Sequence, residues 1–145
     1  QPPGRCSAAP VTPSRTQISG PRLARLALHE QVLRPSPATR RGSAPASEGS
    51  AEVATRVACA WRRQQARSGV PNARLEGESL DVHCAINAAC WSLLESAAER
   101  FNLSARAHQR ILRVARTIAD LGGETKIAPP HIAEALSLRC LDRRV

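Results

Sequence analysis

The chain has 145 residues, and its 21 basic against 12 acidic side chains give a net charge of +9. Its aromatic residues, Trp61, Trp91 and Phe101, are too few for the strands of a sandwich or a barrel, which favour aromatic and β-branched side chains. Alanine and leucine supply most of the apolar content, and no apolar run is long enough for a membrane span or a signal peptide, so we predict an all-α protein.

Residues 1–49 differ in composition from the remainder of the chain. They hold 8 of the 11 prolines and carry 7 basic against 2 acidic side chains. Such a segment buries too little apolar surface to offset its conformational entropy, so we predict that it is largely disordered, except for residues 18–32. Residues 50–145 are then the folded domain. Because the chain begins with Gln1 and not with methionine, we expect it to be a piece of a longer protein.

A first helix is predicted over residues 50–67, with Ser50 as its N-cap. Gly69 and Pro71 end it. Its apolar residues recur every four positions and form one stripe: Val53, Val57 and Trp61. A linker and a short turn of helix over residues 80–84 follow.

Two longer helices come next. The second is predicted over residues 88–101 with Asn87 as its N-cap, and the third over residues 105–121 between Ser104 and Gly123. The predicted core face of the second helix comprises Trp91, Leu94, Ala98 and Phe101. The apolar positions of the third are Ile111, Val114, Ala115, Ile118 and Leu121.

A fourth helix begins at Pro129-Pro130 and ends near Arg139. The side chains that it is predicted to bury are Ile132, Ala135, Leu136 and Leu138. The four helices predict a small bundle, in which one shared core includes Leu94, Ile111, Ile118 and Leu136.

Common catalytic and nucleotide-binding motifs are absent from the sequence. It has no glycine-rich phosphate loop and no H-E-x-x-H helix, so we expect the chain alone neither to bind nucleotide tightly nor to hydrolyse ATP. Five cysteines without a C-x-x-C pair argue against a closed disulfide framework. His83, Cys84 and Cys90 could surround a zinc ion, although free thiols in a reducing cytosol are the interpretation that we favour.

Three arginines of the third helix lie on one side of it. Arg106, Arg110 and Arg113 stand at i, i+4 and i+7, so they span roughly 10 Å and face away from the apolar positions. Arg106 lies in the first turn, where the helix dipole does not favour a cation. This stripe is a solvated face, a strip that faces nucleic acid, or a sensor of nucleotide phosphate. The acidic partners of a solvated face would be Glu95, Glu99 and Asp120.

Residues 103–121, LSARAHQRILRVARTIADL, closely resemble the C-terminal segment of the magnesium-chelatase-like AAA+ ATPases of the competence-associated, YifB/ComM-like branch. Flanking pieces agree in order and spacing: SAEV at 50–53, NARL at 72–75 and HIAEAL at 131–136. The resemblance covers about residues 48–143. It implies the helical lid of an AAA+ module from a cytoplasmic bacterial protein, hexameric when complete, that couples ATP hydrolysis to work on DNA in natural transformation and recombination.

The same resemblance implies roles for two of the stripe arginines. By motif position Arg106 is similar to the lid arginine called sensor 2, which reaches the γ-phosphate of the nucleotide bound by the same subunit. The planar guanidinium suits this role because it donates two hydrogen bonds to phosphate oxygens and stays protonated. Arg113 is similar to a second basic position that braces the nucleotide side. Arg116, on a different side of the helix, is expected to serve as a control.

A weaker echo of the family lies at residues 18–29, where ISGPRLARLALH stands against a typical ISGPLLDRIDLH. The resemblance implies that Arg25 is the trans-acting arginine finger, which stabilises the transferring phosphoryl group in the neighbouring subunit. Ala24 and Ala27 replace two acids, Arg22 replaces an apolar residue, and the pattern dissolves over residues 30–47.

The partners implied are the upstream AAA+ core, further copies in a hexamer and DNA, with no membrane. ATP and Mg²⁺ belong to the complete protein, and neither is expected on this fragment alone. Two other interpretations stay open: a free-standing basic helical module that holds nucleic acid through phosphate contacts, and an inactive remnant. The scarcity of aromatic residues argues against a preference for single strands.

Overall fold

The computed structural model of the chain describes residues 26, 28–30, 32 and 48–139. Its helices are α1 (Ser50–Ser68), α2 (Gly77–His83), α3 (Ala88–Phe101), α4 (Ala105–Gly122) and α5 (Pro129–Ser137), with a 3-10 turn at Asn72–Arg74. The predicted all-α class is confirmed for this part of the chain. The disorder predicted for residues 1–49 concerns positions that lie almost entirely outside it. None of the described helices combines the length and the apolarity needed to cross a bilayer.

Side-chain caps fix the starts of α3 and α4 where the sequence predicts them. The Asn87 side chain accepts a hydrogen bond from the backbone N–H of Cys90, and the Ser104 hydroxyl accepts one from Ala107. Both caps satisfy donors that the first turn of a helix leaves without partners. Gly123 ends α4 in the left-handed conformation, with φ of 82°, which glycine adopts at little cost.

The start of α1 differs by one residue from the prediction. Gly49 is the N-cap, and Ser50 is the first helical residue. The Glu52 carboxylate accepts a hydrogen bond of 3.0 Å from the Gly49 N–H. Glu52, the third residue of the helix, therefore satisfies the N–H of the cap residue itself, and no side chain caps the N–H groups of the first turn.

Helix α4 is the centre of the bundle. It packs against α1, α2, α5 and the 3-10 turn, while α3 packs against α5. The largest fully buried apolar side chains are Leu75, Leu80, Leu94, Ile111 and Ile132. The four residues predicted to share one core do so, because Leu94 and Ile111 lie inside it and Ile118 and Leu136 pack against it from partly buried positions.

The predicted apolar stripe of α1 and one residue of the predicted face of α3 lie outside the core. On α1 the exposed fractions of Val53, Val57 and Trp61 are 37%, 52% and 51%, and on α3 that of Trp91 is 43%. The buried residues of α3 are Cys90, Leu94 and Ala97. Helical spacing identifies residues that share a face, but the packing of neighbouring helices decides which face is covered.

A short piece of the N-terminal segment lies against the end of the bundle. The His29 N–H donates a 2.6 Å hydrogen bond to the Leu138 carbonyl, and His29 forms an isolated parallel bridge with Arg139. The exposed fraction of His29 is 5%. This contact falls within residues 18–32, the part of the segment that the sequence excepts from disorder.

Candidate functional site

Arg106 lies in the first turn of α4 with an exposed side chain. Within the described part of the chain, it makes no hydrogen bond and no ion pair. The backbone beneath it is fixed, because Ser104 caps the turn and the Leu103 N–H donates 3.0 Å to the Ala98 carbonyl at the end of α3. A fixed backbone therefore carries a guanidinium whose donors are available to an anion.

Arg113 is half-buried and partly engaged with the protein. Its Nε donates a 2.7 Å hydrogen bond to the Leu75 carbonyl, just after the 3-10 turn. Its two terminal amino groups make no further hydrogen bond to the residues described. Arg113 therefore joins α4 to the chain before α2 and still presents donors on the same side as Arg106.

Arg110, between them, binds backbone. Its side chain is half-buried, and Nη1 donates to the Leu26 carbonyl at 3.3 Å. The stripe is thus not uniform, because Arg110 and Arg113 donate to backbone carbonyls, whereas Arg106 makes no hydrogen bond or ion pair with a described residue. Arg25, the predicted finger, lies outside the described residues, immediately before Leu26.

Asp120 belongs to a buried polar cluster at the other end of α4, not to the arginine stripe. Its carboxylate accepts two 2.7 Å hydrogen bonds from Arg67 at the end of α1, one of 2.8 Å from Asn72, and lies 3.1 Å from Arg116. The exposed fractions of Asn72, Arg116 and Asp120 are 1%, 2% and 1%. The prediction that Asp120 is an acidic partner of a solvated arginine face is therefore wrong. The Asp120 carboxylate instead joins α1, the 3-10 turn and α4.

Arg116 is part of the same buried cluster and cannot serve as a neutral control. Its amino groups donate to the carbonyls of Thr125 and Glu124 at 2.9 and 2.6 Å, in the loop between α4 and α5. The sequence signal that could have identified this residue is the i, i+4 spacing of Arg116 and Asp120, which permits an ion pair on one helix face. That spacing does not say whether the face is buried.

The pKa values of the cluster follow from competition between burial and partners. Burial opposes the charged form of Asp120, but hydrogen bonds from Arg67 and Asn72 and the charge of Arg116 outweigh it, so the pKa of this carboxyl lies below its ordinary value. The hydrogen bond to Asp120 raises the pKa of Arg67. Burial lowers the pKa of Arg116, with Asp120 opposing the shift. All three groups are charged near neutral pH.

A groove of about 560 Å³ lies beside the N-terminal half of α4, between α2 and the start of α3. Its walls are mainly apolar, and the rings of Trp91 and His108 meet there with centroids 5.4 Å apart. Burial lowers the pKa of His108, with Glu95 opposing the shift, so this ring is neutral near pH 7. None of the three stripe arginines lines the groove. Its chemistry therefore does not fit a phosphate group.

The zinc alternative finds no support in the described residues. No three histidine, cysteine or acidic side chains among them are grouped to hold a metal ion. Cys84 and Cys90 are buried free thiols, and burial raises the pKa of Cys84 to about 11. Zinc binds the thiolate form, which this environment disfavours.

The positive charge is concentrated outside the bundle. Residues 48–139 carry 12 basic and 10 acidic side chains, a net charge of +2, so the rest of the chain contributes +7. Arg106 is therefore an exposed cation on a nearly neutral domain.

Comparison with known proteins identifies relatives of the chain. The family described as magnesium chelatase, subunit ChlI C-terminal, matches residues 47–139. The chain is 37% identical over 139 residues to the uncharacterized protein YifB of Salmonella typhimurium, an alignment that covers 96% of the chain and 28% of that protein. It is 38% identical over 127 residues to the competence protein ComM of Haemophilus influenzae, with 88% and 25% covered.

The uncharacterized protein YifB of Escherichia coli is 34% identical over 139 residues, and the chain again spans 28% of the relative. The chain thus spans less than a third of the length of the curated relatives it matches. Alignments that cover 96% of the chain must also include most of residues 1–49.

Proposed function

Because this chain belongs to the magnesium chelatase subunit ChlI C-terminal family, we propose that residues 48–139 are the helical lid of a magnesium-chelatase-like AAA+ ATPase and that Arg106 is its nucleotide sensor. The observation that carries the proposal is the guanidinium of Arg106 in the first turn of α4, which has no hydrogen bond or ion pair with any residue that the structure describes. A cation there is mildly unfavourable for the helix. An anionic ligand gives a reason for arginine at this position that helix stability does not.

In this proposal the stripe divides its work. Arg106 donates to the γ-phosphate oxygens of ATP bound by the same subunit, where a preorganised charge stabilises the transferring phosphoryl group. Arg113 braces the nucleotide side with its two terminal amino groups, while its Nε donates to the Leu75 carbonyl. Arg25 acts as the finger toward a neighbouring subunit.

The remaining parts of the activity are proposed for the complete protein. The phosphate loop and the Mg²⁺ ligands belong to an upstream AAA+ core, because residues 48–139 contain neither a phosphate loop nor a grouped set of metal ligands. The complete protein is proposed to be a cytoplasmic hexamer. The complete protein is also proposed to act on DNA in uptake and recombination, and the name of the Haemophilus relative, competence protein ComM, supports the competence part of this proposal.

A second candidate is a basic module that holds nucleic acid through phosphate contacts. The observation that favours it is the charge of +7 outside residues 48–139. Binding by such a module weakens steeply with salt. Removing residues 1–47 should then abolish binding of duplex DNA, whereas Arg106→Ala should leave it unchanged, and the opposite result would move the interface to α4.

The sensor proposal is tested with Arg106→Ala in a complete family member that carries the phosphate loop. ATP hydrolysis should fall by one to several powers of ten, because charge at a transferring phosphoryl group is typically worth several kcal/mol. The melting temperature and the helical circular dichroism should stay unchanged. The matched control is Arg62→Ala, because Arg62 is exposed on α1 and, among the described residues, its hydrogen bond is to Cys59 of its own helix.

Two results would contradict the sensor assignment. Equal rates of ATP hydrolysis by the Arg106 and Arg62 variants would favour the interpretation of Arg106 as part of a solvated face. Unfolding of the lid by Arg106→Ala would also reject the sensor assignment. The 145-residue chain by itself should show no ATP turnover with magnesium, and turnover that follows the purified chain would contradict the proposed division between core and lid.

A further inference from the structure

The acidic side chains of the bundle are concentrated on one part of its surface. Residues 75–99, which include α2 and most of α3, carry five acidic side chains and neither lysine nor arginine, a net charge of −5 in a chain of +9. All five acids are exposed, and within the described part of the chain none of them makes a hydrogen bond or an ion pair. They are Glu76, Glu78, Asp81, Glu95 and Glu99. No arginine of the same domain therefore neutralises this region.

The groove beside α4 opens within this acidic region. Asp81 lines it, and Glu78 stands three positions before Asp81 on α2. Glu95 stands four positions after Trp91, a lining residue of α3, so each of these acids shares a helix side with a lining residue. The charge of Glu95 also opposes the lowered pKa of His108, whose ring lines the groove. We call Glu78, Asp81 and Glu95 the acidic rim.

The lining of the groove presents apolar surface to solvent. The exposed fraction of Trp91 is 43%, and the lining residues Ala85 and Ala105 are exposed as well. The groove volume of about 560 Å³ falls within the range of about 300–1,000 Å³ that binding clefts occupy. Apolar side chains that are grouped in a groove and bordered by charged ones are typical of an interaction surface, whereas apolar side chains scattered singly are not.

The chemistry of the groove defines the partner that fits it. The acidic rim repels nucleic acid and favours a partner with positive charge, while the lining requires apolar side chains. A helix meets both needs when its apolar residues recur at i, i+3, i+4 and i+7 and lysine or arginine flanks them. The described part of the chain's own basic segment lies elsewhere, because Leu26 and His29 bind Arg110, Arg139 and the Leu138 carbonyl, and none of these lines the groove. The helix therefore comes from another protein.

We propose that the groove and its acidic rim are a docking site for a basic amphipathic helix of a partner protein. The apolar face of that helix covers Trp91 and the neighbouring lining residues, and its basic side chains approach Glu78 and Asp81 on one side and Glu95 on the other. The proposal does not rest on the sensor role of Arg106, because none of the stripe arginines lines the groove.

The docking site is tested with a synthetic peptide of about 15 residues that carries leucine at i, i+3, i+4 and i+7 and lysine on both sides of this face. The receptor is the full 145-residue chain with Trp61→Phe, which leaves Trp91 as its one tryptophan. The peptide should shift the fluorescence of Trp91 to shorter wavelength, because it covers an exposed ring, and should become more helical when it binds. A second peptide, with glutamate in place of every lysine, should not bind.

Substitutions in the receptor separate the rim from the lining. Asp81→Arg/Glu95→Arg should weaken binding about tenfold, because each change turns an attraction into a repulsion. The matched control is Glu124→Arg/Glu134→Arg, which changes the net charge equally at two exposed acids outside the groove and should alter the affinity by less than about twofold. Ala85→Phe leaves the charge unchanged but fills the groove, so it should also weaken binding about tenfold.

Each other outcome overturns the docking site. Absence of binding at about 1 mM lysine peptide would reject it directly. Equal binding of the two peptides, or equal losses in the two double variants, would show that the acidic rim does not select the partner. Full affinity of Ala85→Phe would place the peptide outside the groove. A shift of Trp91 fluorescence with the concentration of the chain alone would make a second copy the occupant, and a shift caused by duplex DNA would make it a nucleic acid.

Discussion

The two ends of α4 use arginine in opposite ways. Arg106, in the first turn, is exposed and has no partner among the described residues. Arg116, roughly 15 Å along the axis, has an exposed fraction of 2% and binds Asp120 and two loop carbonyls. At the buried end, partners compensate the cost of removing a charge from water. At the exposed end the charge stays hydrated and available.

The helix dipole sharpens this contrast. A cation in the first turn of a helix is disfavoured, and the effect fades beyond that turn. Arg106 therefore has neither a partner among the described residues nor a favourable place on the helix, whereas Arg116 lies between the end turns and is stabilised by its partners. The role of an arginine on this helix follows from burial and partners, not from residue type or spacing.

The largest effect on stability is expected from removing the carboxylate of Asp120 at the buried end of α4. Asp120→Ala should lower the free energy of unfolding by about 3–5 kcal/mol, because the change leaves Arg67 and Arg116 partly buried without their counter-ion. Urea denaturation of the chain measures the loss. Glu99→Ala, which removes an exposed carboxylate from α3, is the control. A loss below about 1 kcal/mol would show that the cluster does not hold the bundle together.

Acid should weaken the buried end while Asp120 stays in place. Because the pKa of this carboxyl is lower in the folded chain than in the unfolded chain, its stabilisation is complete above the ordinary aspartate pKa and is lost as the pH falls through the folded pKa. Unfolding free energies measured down to about pH 3 should therefore fall more steeply for the unsubstituted chain than for Asp120→Asn. Parallel curves would contradict the lowered pKa.

Arg113 should show an intermediate effect, since it is half-buried and has one partner. Arg113→Ala removes the donor to the Leu75 carbonyl and should cost about 1–2 kcal/mol of unfolding free energy. Arg74→Ala, an exposed arginine of the neighbouring 3-10 turn, should change stability by less than about 0.5 kcal/mol. If the two variants melt together, the bond between Nε and the Leu75 carbonyl contributes nothing to the fold.

The smallest change in the free energy of unfolding is expected at Arg106, where the sign of the change is informative. Arg106→Glu places an acid in the first turn and should raise the free energy of unfolding by about 0.3–1 kcal/mol. Arg106→Ala should stay within about 0.5 kcal/mol of the unsubstituted chain. A destabilising Arg106→Glu would indicate that the guanidinium supports the bundle, and the contrast between the two ends of α4 would disappear.

Local signals in the sequence predicted the helix starts well because caps are local. Asn87 and Ser104 each satisfy an N–H group three residues away, and such local contacts can be predicted from the sequence alone. The shared core was also predictable, because Leu94, Ile111, Ile118 and Leu136 keep helical spacing on three segments.

The sequence did not predict which apolar helix faces would be buried. Trp61 and Trp91 keep helical spacing with other apolar residues, yet both are about half exposed. Leu94, on the same predicted face as Trp91, is fully buried, so neighbouring helices cover only part of that face. The buried polar cluster around Asp120 was not predicted for the same reason. Asp120 and Arg116 have the composition of a solvated face, and only the arrival of Arg67 and Asn72 from α1 and the 3-10 turn makes their side a buried one.

The alkylation rates of the two buried thiols Cys84 and Cys90 report how often the bundle opens. Cys84 ends α2, and the Cys90 thiol lies 3.8 Å from the Ile127 carbonyl, across the contact between α3 and the loop before α5. Alkylating reagents attack the thiolate, which burial and a pKa near 11 suppress at Cys84. The rate of alkylation at Cys84 and Cys90 therefore measures how often the helices separate, and no additional probe is needed. Half-buried Cys59 on α1 supplies the faster reference rate in the same molecule.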